Sequence, residues 1–172
     1  SITLLYLYIL NGKSEMSKFY VILILMVSTR VLSLGQSTEK VFLIGENQKT
    51  YDKLISTYNT HLLEVCDDSM DKAYEKWSGI LYDLEKFALS EKLDIRGVKL
   101  WMNVFFDGKG KIEYIVYYPK PISKNMNYDH LSKVLDKFIK FYNPSVPSAV
   151  PFSHYGSASF PVFYSRISTN NE

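Results

Sequence analysis

Cysteine is nearly missing from this sequence. Cys66 is the only one in 172 residues, so no internal disulfide can staple the chain. Histidine is scarce as well. His61, His130 and His154 are scattered, with no HxxxH or HxH spacing. His61, Cys66 and Asp67 lie close in sequence but make a weak metal site, since zinc takes three or four convergent ligands. Charge of one sign is lacking too: the formal net charge is only +2. No G-x-S-x-G elbow is present, and Ser153 and His154 are adjacent, a poor spacing for a nucleophile and its base. Gly108 and Gly110 lack the following helix that a phosphate loop requires. Asp67 and Asp68 precede a predicted helix, where capping explains them. These absences argue against an enzyme and against a cofactor or metal.

No apolar run reaches the roughly 20 residues that span a bilayer. The run Phe19 to Val27, behind Met16 and Lys18, has instead the length of a signal-peptide core. Ser33-Leu34-Gly35 supplies the small residues of a cleavage site, which predicts a mature start at Gln36. An uncleaved anchor is the competing interpretation, disfavoured by Arg30 and the short run. Residues 1–15 read as upstream read-through, 16–35 as the signal, and 36–172 as one α+β domain. The expected location is the periplasm or the outside of the cell, with no membrane span left after cleavage. The leader removes three bases and one acid, leaving the mature chain formally neutral. A nucleic-acid binder would instead show clustered Lys and Arg. With one cysteine, packing must hold the fold. Cys66 ends an apolar stripe and reads as a buried thiol.

What is present is aromatic and periodic. Tyr (14) and Phe (10) are plentiful, which favours strands. Glu39 to Ile44 reads as a brief strand. Leu54, Ile55, Tyr58, Leu62 and Val65 fall at helical spacing behind a Thr50 cap. Met70, Ala73, Trp77, Ile80, Leu81, Leu84, Phe87 and Ala88 form a longer helical stripe of about five turns. Two amphipathic helices over 36–95 thus precede a unit over 96–167.

That second unit opens with two runs of period-two alternation, Val98 to Phe106 and Lys111 to Tyr118, around Asp107-Gly-Lys-Gly110. A helix from about Asp129 to Tyr142, capped by Asn127 or Asp129, follows. A last strand from Ala158 to Tyr164 contains Pro161, which confines it to an edge. The prediction is a small antiparallel sheet in β-β-α-β order, with the N-terminal helices packed on it.

This order, with Trp101 to Val116, Asp129 to Phe138 and Phe160-Pro-Val-Phe163, resembles the C-terminal domain of TonB-type proteins. The likeness covers about half of the mature chain. Two departures set it apart from an energy transducer: there is no uncleaved anchor and no Pro-rich spacer. The chain looks more like a small exported Bacteroidetes-type protein built on such a core. The resemblance implies a protein-binding domain, with strand addition at a sheet edge as the mode.

Two candidate sites follow. One is a sheet edge or an aromatic patch that binds an envelope protein or peptide, using Trp101, Phe105, Ile115, Tyr117, Phe160 and Val162. The competing expectation for the patch is burial under an N-terminal helix. The other is a small-ligand pocket between helix and sheet lined by Tyr114, Tyr118, Tyr142 and Tyr155.

Overall fold

A computed structural model describes residues 39–143 and 148–163. They belong to one compact unit that begins at Glu39. The predicted leader and its cleavage site lie outside the described residues, as does Tyr164.

The elements run β1 (Val41–Leu43), α1 (Gln48–Thr57), β2 (Thr60–His61), α2 (Leu62–Val65), α3 (Met70–Ser90), β3 (Lys99–Phe106), β4 (Ile112–Pro119), α4 (Tyr128–Phe141) and β5 (Phe152–Ser159). The architecture is mixed α and β, with four described helices on a five-stranded sheet of order β1-β4-β3-β5-β2. The predicted antiparallel core is there: β3 pairs antiparallel with both β4 and β5. The sheet as a whole is mixed, because β1 joins β4 and β2 joins β5 in parallel.

Local chemistry sets the element ends. Asn47, not Thr50, caps α1 by accepting the Thr50 N–H. Ser69 caps α3, with Asp71 in the first turn where the helix dipole favours an acid. Asn127 caps α4 by accepting the His130 N–H at 3.0 Å. In the β3–β4 turn the Asp107 carboxylate accepts the N–H groups of Lys109 and Lys111, both at 2.8 Å. Gly110 takes the positive φ of 78° that this turn needs.

The first predicted helix is split. Its stripe is interrupted by β2, so Leu54 and Tyr58 serve one face of the sheet while Leu62 serves the other. The chain rounds the sheet edge between them. The inner face carries the main core. There Leu100, Met102, Val104 and Phe106 of β3 meet Ile80 and Leu84 of α3 and Leu131, Leu135 and Phe138 of α4. Cys66 is buried in that core as expected.

One irregularity reorders the outer face. Phe106 pairs with Ile112, but Phe105 pairs with Tyr114, so Glu113 is an extra residue in β4. Without this bulge, period-two pairing sets Trp101 opposite Tyr117. With it, Trp101 faces Tyr118, and Ile115 and Tyr117 turn inward. A one-residue slip moves every later side chain of a strand to the other face. Ile112 is likewise an inner residue, packed in the main core.

The last strand also differs from expectation. β5 is Phe152–Ser159, and it shares only Ala158 and Ser159 with the run that predicted it. That run instead folds back on the domain. Phe160 is buried in the main core, and the Val162 N–H donates to Glu85 Oε2 at 2.8 Å. Neither forms a free sheet edge. Among the described residues no helix is long and apolar enough to cross a membrane.

Candidate functional site: a cleft and an aromatic shelf on the outer sheet face

Three cross-strand rows build the outer face. They are Tyr114–Phe105–Ser153, then Val116–Asn103–Tyr155, then Tyr118–Trp101–Ser157. Helix α1 covers the first and reaches Val116 and Asn103 of the second. Leu54 and Tyr58 press on Phe105, which is fully buried in a second small core with Phe42 and Val116. Tyr58 meets the Phe105 ring edge-on at 5.3 Å, and Tyr51 does so at 6.5 Å. The bulge gives this row its polar clamp, since Glu113 accepts a short hydrogen bond from the Tyr58 hydroxyl. Burial first, and then that carboxylate, push the Tyr58 phenol above the usual tyrosine range.

The third row stays open. Trp101 is 40% exposed and Tyr118 52%, and beside them Tyr155 of the second row is 57% exposed. The Trp101 and Tyr155 rings stack at 5.8 Å, 15° from parallel. Lys120 Nζ sits 3.9 Å above the Trp101 ring and donates to Ser157 Oγ at 2.6 Å. The result is a braced ladder of ammonium, indole and phenol.

Between the covered and open rows lies a cleft of about 290 Å3. Ile44, Tyr51, Ile55 and Tyr58 form the α1 side; His61, Ser153 and Tyr155 form the β2–β5 side; Asn103 lies between them. No Asp, Glu, Lys or Arg lines it. The Tyr58 and Ser153 hydroxyls in it are committed. Ser153 Oγ donates to the Tyr58 carbonyl at 2.9 Å, so its proton is taken. Asn103 is the buried group with an unpaired atom. It is 3% exposed, its Nδ2 reaches Tyr51 Oη only at 3.4 Å, and its Oδ1 has no partner in the protein. A buried polar atom left unpaired costs about 1–3 kcal/mol.

The predicted sites are therefore redistributed. Of the aromatic patch, Trp101 is on the shelf, Phe105 is sealed under α1, and Ile115 and Tyr117 are buried on the opposite face. Tyr117 donates to the Tyr128 carbonyl or bonds Ser132 Oγ, and burial pushes its phenol up to about 12. Of the tyrosine pocket, Tyr155 lines the cleft and Tyr118 joins the shelf. Tyr114 packs against the small core, and Tyr142 is buried on the inner side beside Phe138. Ser153 and His154 face opposite sides of β5, which dissolves that pairing. Burial, and then the nearby His61, lower the His154 pKa to about 4. Burial also pushes the Cys66 thiol up. Among the described residues no group of three or more metal ligands converges.

Sequence reasoning missed Asn103, Tyr51, Tyr58, His61 and Ser153 as cleft residues. None carried a signal as such: Asn103 sits on the odd-numbered face of β3, where alternation allows a polar residue. Compared with family models, curated proteins and solved structures, the chain matches none.

Replacing Asn103 with Leu is expected to raise stability by about 1 kcal/mol, because an unpaired buried acceptor is removed while the branching of the side chain is kept. Urea unfolding checks this. A loss of 1 kcal/mol or more would mean that the amide is satisfied in the folded protein.

Proposed function

We propose that this chain is an exported, non-enzymatic binding domain. Its partner, a peptide or protein of the cell envelope, docks on the outer face of the sheet. The observation that carries this reading is the exposed aromatic shelf of Trp101, Tyr118 and Tyr155 beside a cleft lined mostly by aromatic and apolar side chains. Exposed aromatic patches rimmed by polar groups mark interaction sites. Export is supported by the Met16 to Gly35 pattern. The order β3-β4-α4-β5 is the one a TonB C-terminal-like unit calls for, and favours that likeness at the level of topology.

Strand addition is the less favoured mode. Both edges are short or blunted. The Leu43 N–H of β1 donates to Glu46 Oε2 at 2.9 Å. On β5, Trp77 Nε1 occupies the Ser157 carbonyl at 3.1 Å. Side chains that satisfy edge groups block pairing with another chain.

Displayed random peptides selected on the full chain test the reading. Selected peptides should lose about 30-fold or more in affinity on Trp101→Ala and on Tyr155→Ala, the loss typical of a central aromatic anchor. Peptides indifferent to both variants would place the site elsewhere.

A further inference from the structure

We propose that the partner docks through a short acidic segment: an extended peptide with a carboxylate on Lys99 and Lys120 and an apolar side chain, two residues away, on Trp101 and Tyr118. The proposal rests on the outer face being the binding surface, and names the chemistry of what docks there.

A fourth cross-strand row lies beyond the shelf, and it is basic. The β3–β4 pairing sets Leu100 opposite Pro119 and continues through the Lys120 N–H, which donates to the Lys99 carbonyl at 2.8 Å. Lys99 therefore stands directly opposite Lys120, with Ser159 of β5 on its other side. Alternate residues of a strand share a face, and Leu100 is in the core, so Lys99 lies on the face of Trp101. Lys120 is on that face too, with its ammonium over the Trp101 ring. Like charges directly opposite on neighbouring strands destabilise a sheet. Among the described residues neither lysine has a carboxylate partner. Lys120 is held only by neutral groups, the indole and the Ser157 hydroxyl. No Asp or Glu stands in the second, third or fourth row. Asp94, ahead of β3, is paired with Arg96 at 2.7 Å, and Glu113 in the bulge is bound by Tyr58. A repulsive pair with no compensation inside the protein, set beside exposed rings, is the kind of broken local rule that marks a functional surface.

A carboxylate between the two ammonium groups removes the repulsion and gains charge-assisted hydrogen bonds. The rows supply the spacing. Successive rows are about 7 Å apart, the distance between alternate side chains of an extended peptide. A carboxylate on the fourth row thus brings the side chain two residues away onto Trp101 and Tyr118. A sugar stacks on a bare aromatic face, whereas the Lys120 ammonium already lies over the indole. A single-stranded nucleic acid is bound by a basic groove that tracks its backbone, whereas the other three rows carry no Lys or Arg.

The test follows the backbone amide resonances of the 15N-labelled full chain. The probes are an acetylated, amidated pentapeptide Gly-Phe-Ser-Glu-Gly, its neutral counterpart Gly-Phe-Ser-Gln-Gly, and an eight-residue oligothymidylate. The Glu peptide is expected to shift the amides of Lys99, Trp101, Lys120 and Ser157. The Gln peptide is expected to bind about tenfold more weakly. Raising the salt should weaken the Glu peptide and leave the Gln peptide unchanged. The double variant Lys99→Gln, Lys120→Gln should erase the difference between the peptides, and an unfolding midpoint no lower than wild type shows that it is folded. Equal affinity of the two peptides in the wild type overturns the carboxylate. Tighter binding of the oligothymidylate at these amides overturns the peptide in favour of a nucleic acid. No shift with either peptide overturns the acidic segment.

The displayed peptides separate this proposal from the one beneath it. Selected peptides that need Trp101 and Tyr155 but carry no Asp or Glu, and bind the double variant equally well, would leave the outer-face reading standing and refute the acidic segment. Selected peptides indifferent to Trp101 and Tyr155 refute the outer-face reading itself.

Discussion

Replacing Trp77 with Ala is expected to destabilise the domain by about 3–5 kcal/mol, the range for deleting a buried large aromatic. The residue sits on the inner stripe of α3 and is 6% exposed. Two losses combine there. The ring packs at 4.5 Å on His154, and its removal leaves a cavity between α3 and β5. The indole N–H also leaves the Ser157 carbonyl, freeing an acceptor on the open edge of β5. Gly156 shows how closely these groups pack. A Cβ placed there meets His154 Nε2 at 2.6 Å and Trp77 Nε1 at 3.1 Å, so glycine makes room for both rings. Chemical unfolding measures the first loss, and a drop below 1 kcal/mol would contradict the packing. Trp77→Phe keeps most of the ring and isolates the hydrogen bond, at about 1 kcal/mol. Sedimentation of both variants reads the second loss. A freed edge should raise self-association with concentration.

Acid is expected to weaken the fold well before the carboxylates titrate. His154 packs against Trp77 with its pKa lowered to about 4, from an ordinary value near 6.5. The folded state therefore holds the neutral imidazole. As pH falls below about 6.5 the unfolded chain takes up a proton that the folded chain refuses, so stability drops. The slope approaches about 1.4 kcal/mol per pH unit and levels off below pH 4, where both states are protonated. Across that window the loss is on the order of 2–3 kcal/mol. The nearby His61 on β2 is the second cause of that lowering, after burial. Unfolding midpoints measured from pH 7.5 to pH 4 check this. His154→Gln should flatten the profile; a variant as steep as the wild type would assign the effect to another group.

Much of the scaffold was legible in the residues themselves. The stripe from Ala73 to Ala88 encodes α3, and the buried residues of that helix fall on it. Alternation from Lys99 to Phe106 encodes β3, with even-numbered residues on the core side. Asp107 and Gly110 encode the turn, and Leu131 to Ile139 encodes α4. These signals are local: each arises from the period of one element and the chemistry of its ends.

Other features were not written locally. β5 lacks an apolar run, because its inner face is completed by Trp77 and His154 rather than by its own aliphatic side chains. The two-residue β2 owes its existence to pairing with Phe152 and Ser153, about 90 residues away. The extra residue at Glu113 leaves the alternation on either side intact, so periodicity cannot detect it.

Composition and periodicity by themselves determined an α and β domain without disulfides, its hairpin, and the two long helices that cover it. Only the tertiary structure decided which residues face outward together. The bulge at Glu113 exchanged Ile115 and Tyr117 for Val116 and Tyr118, and the bend of the chain at β2 brought α1 to the outer face. Face and register depend on how separate segments pair, and a single strand's sequence carries no record of its partner's offset. The cleft around Asn103 is a product of that pairing.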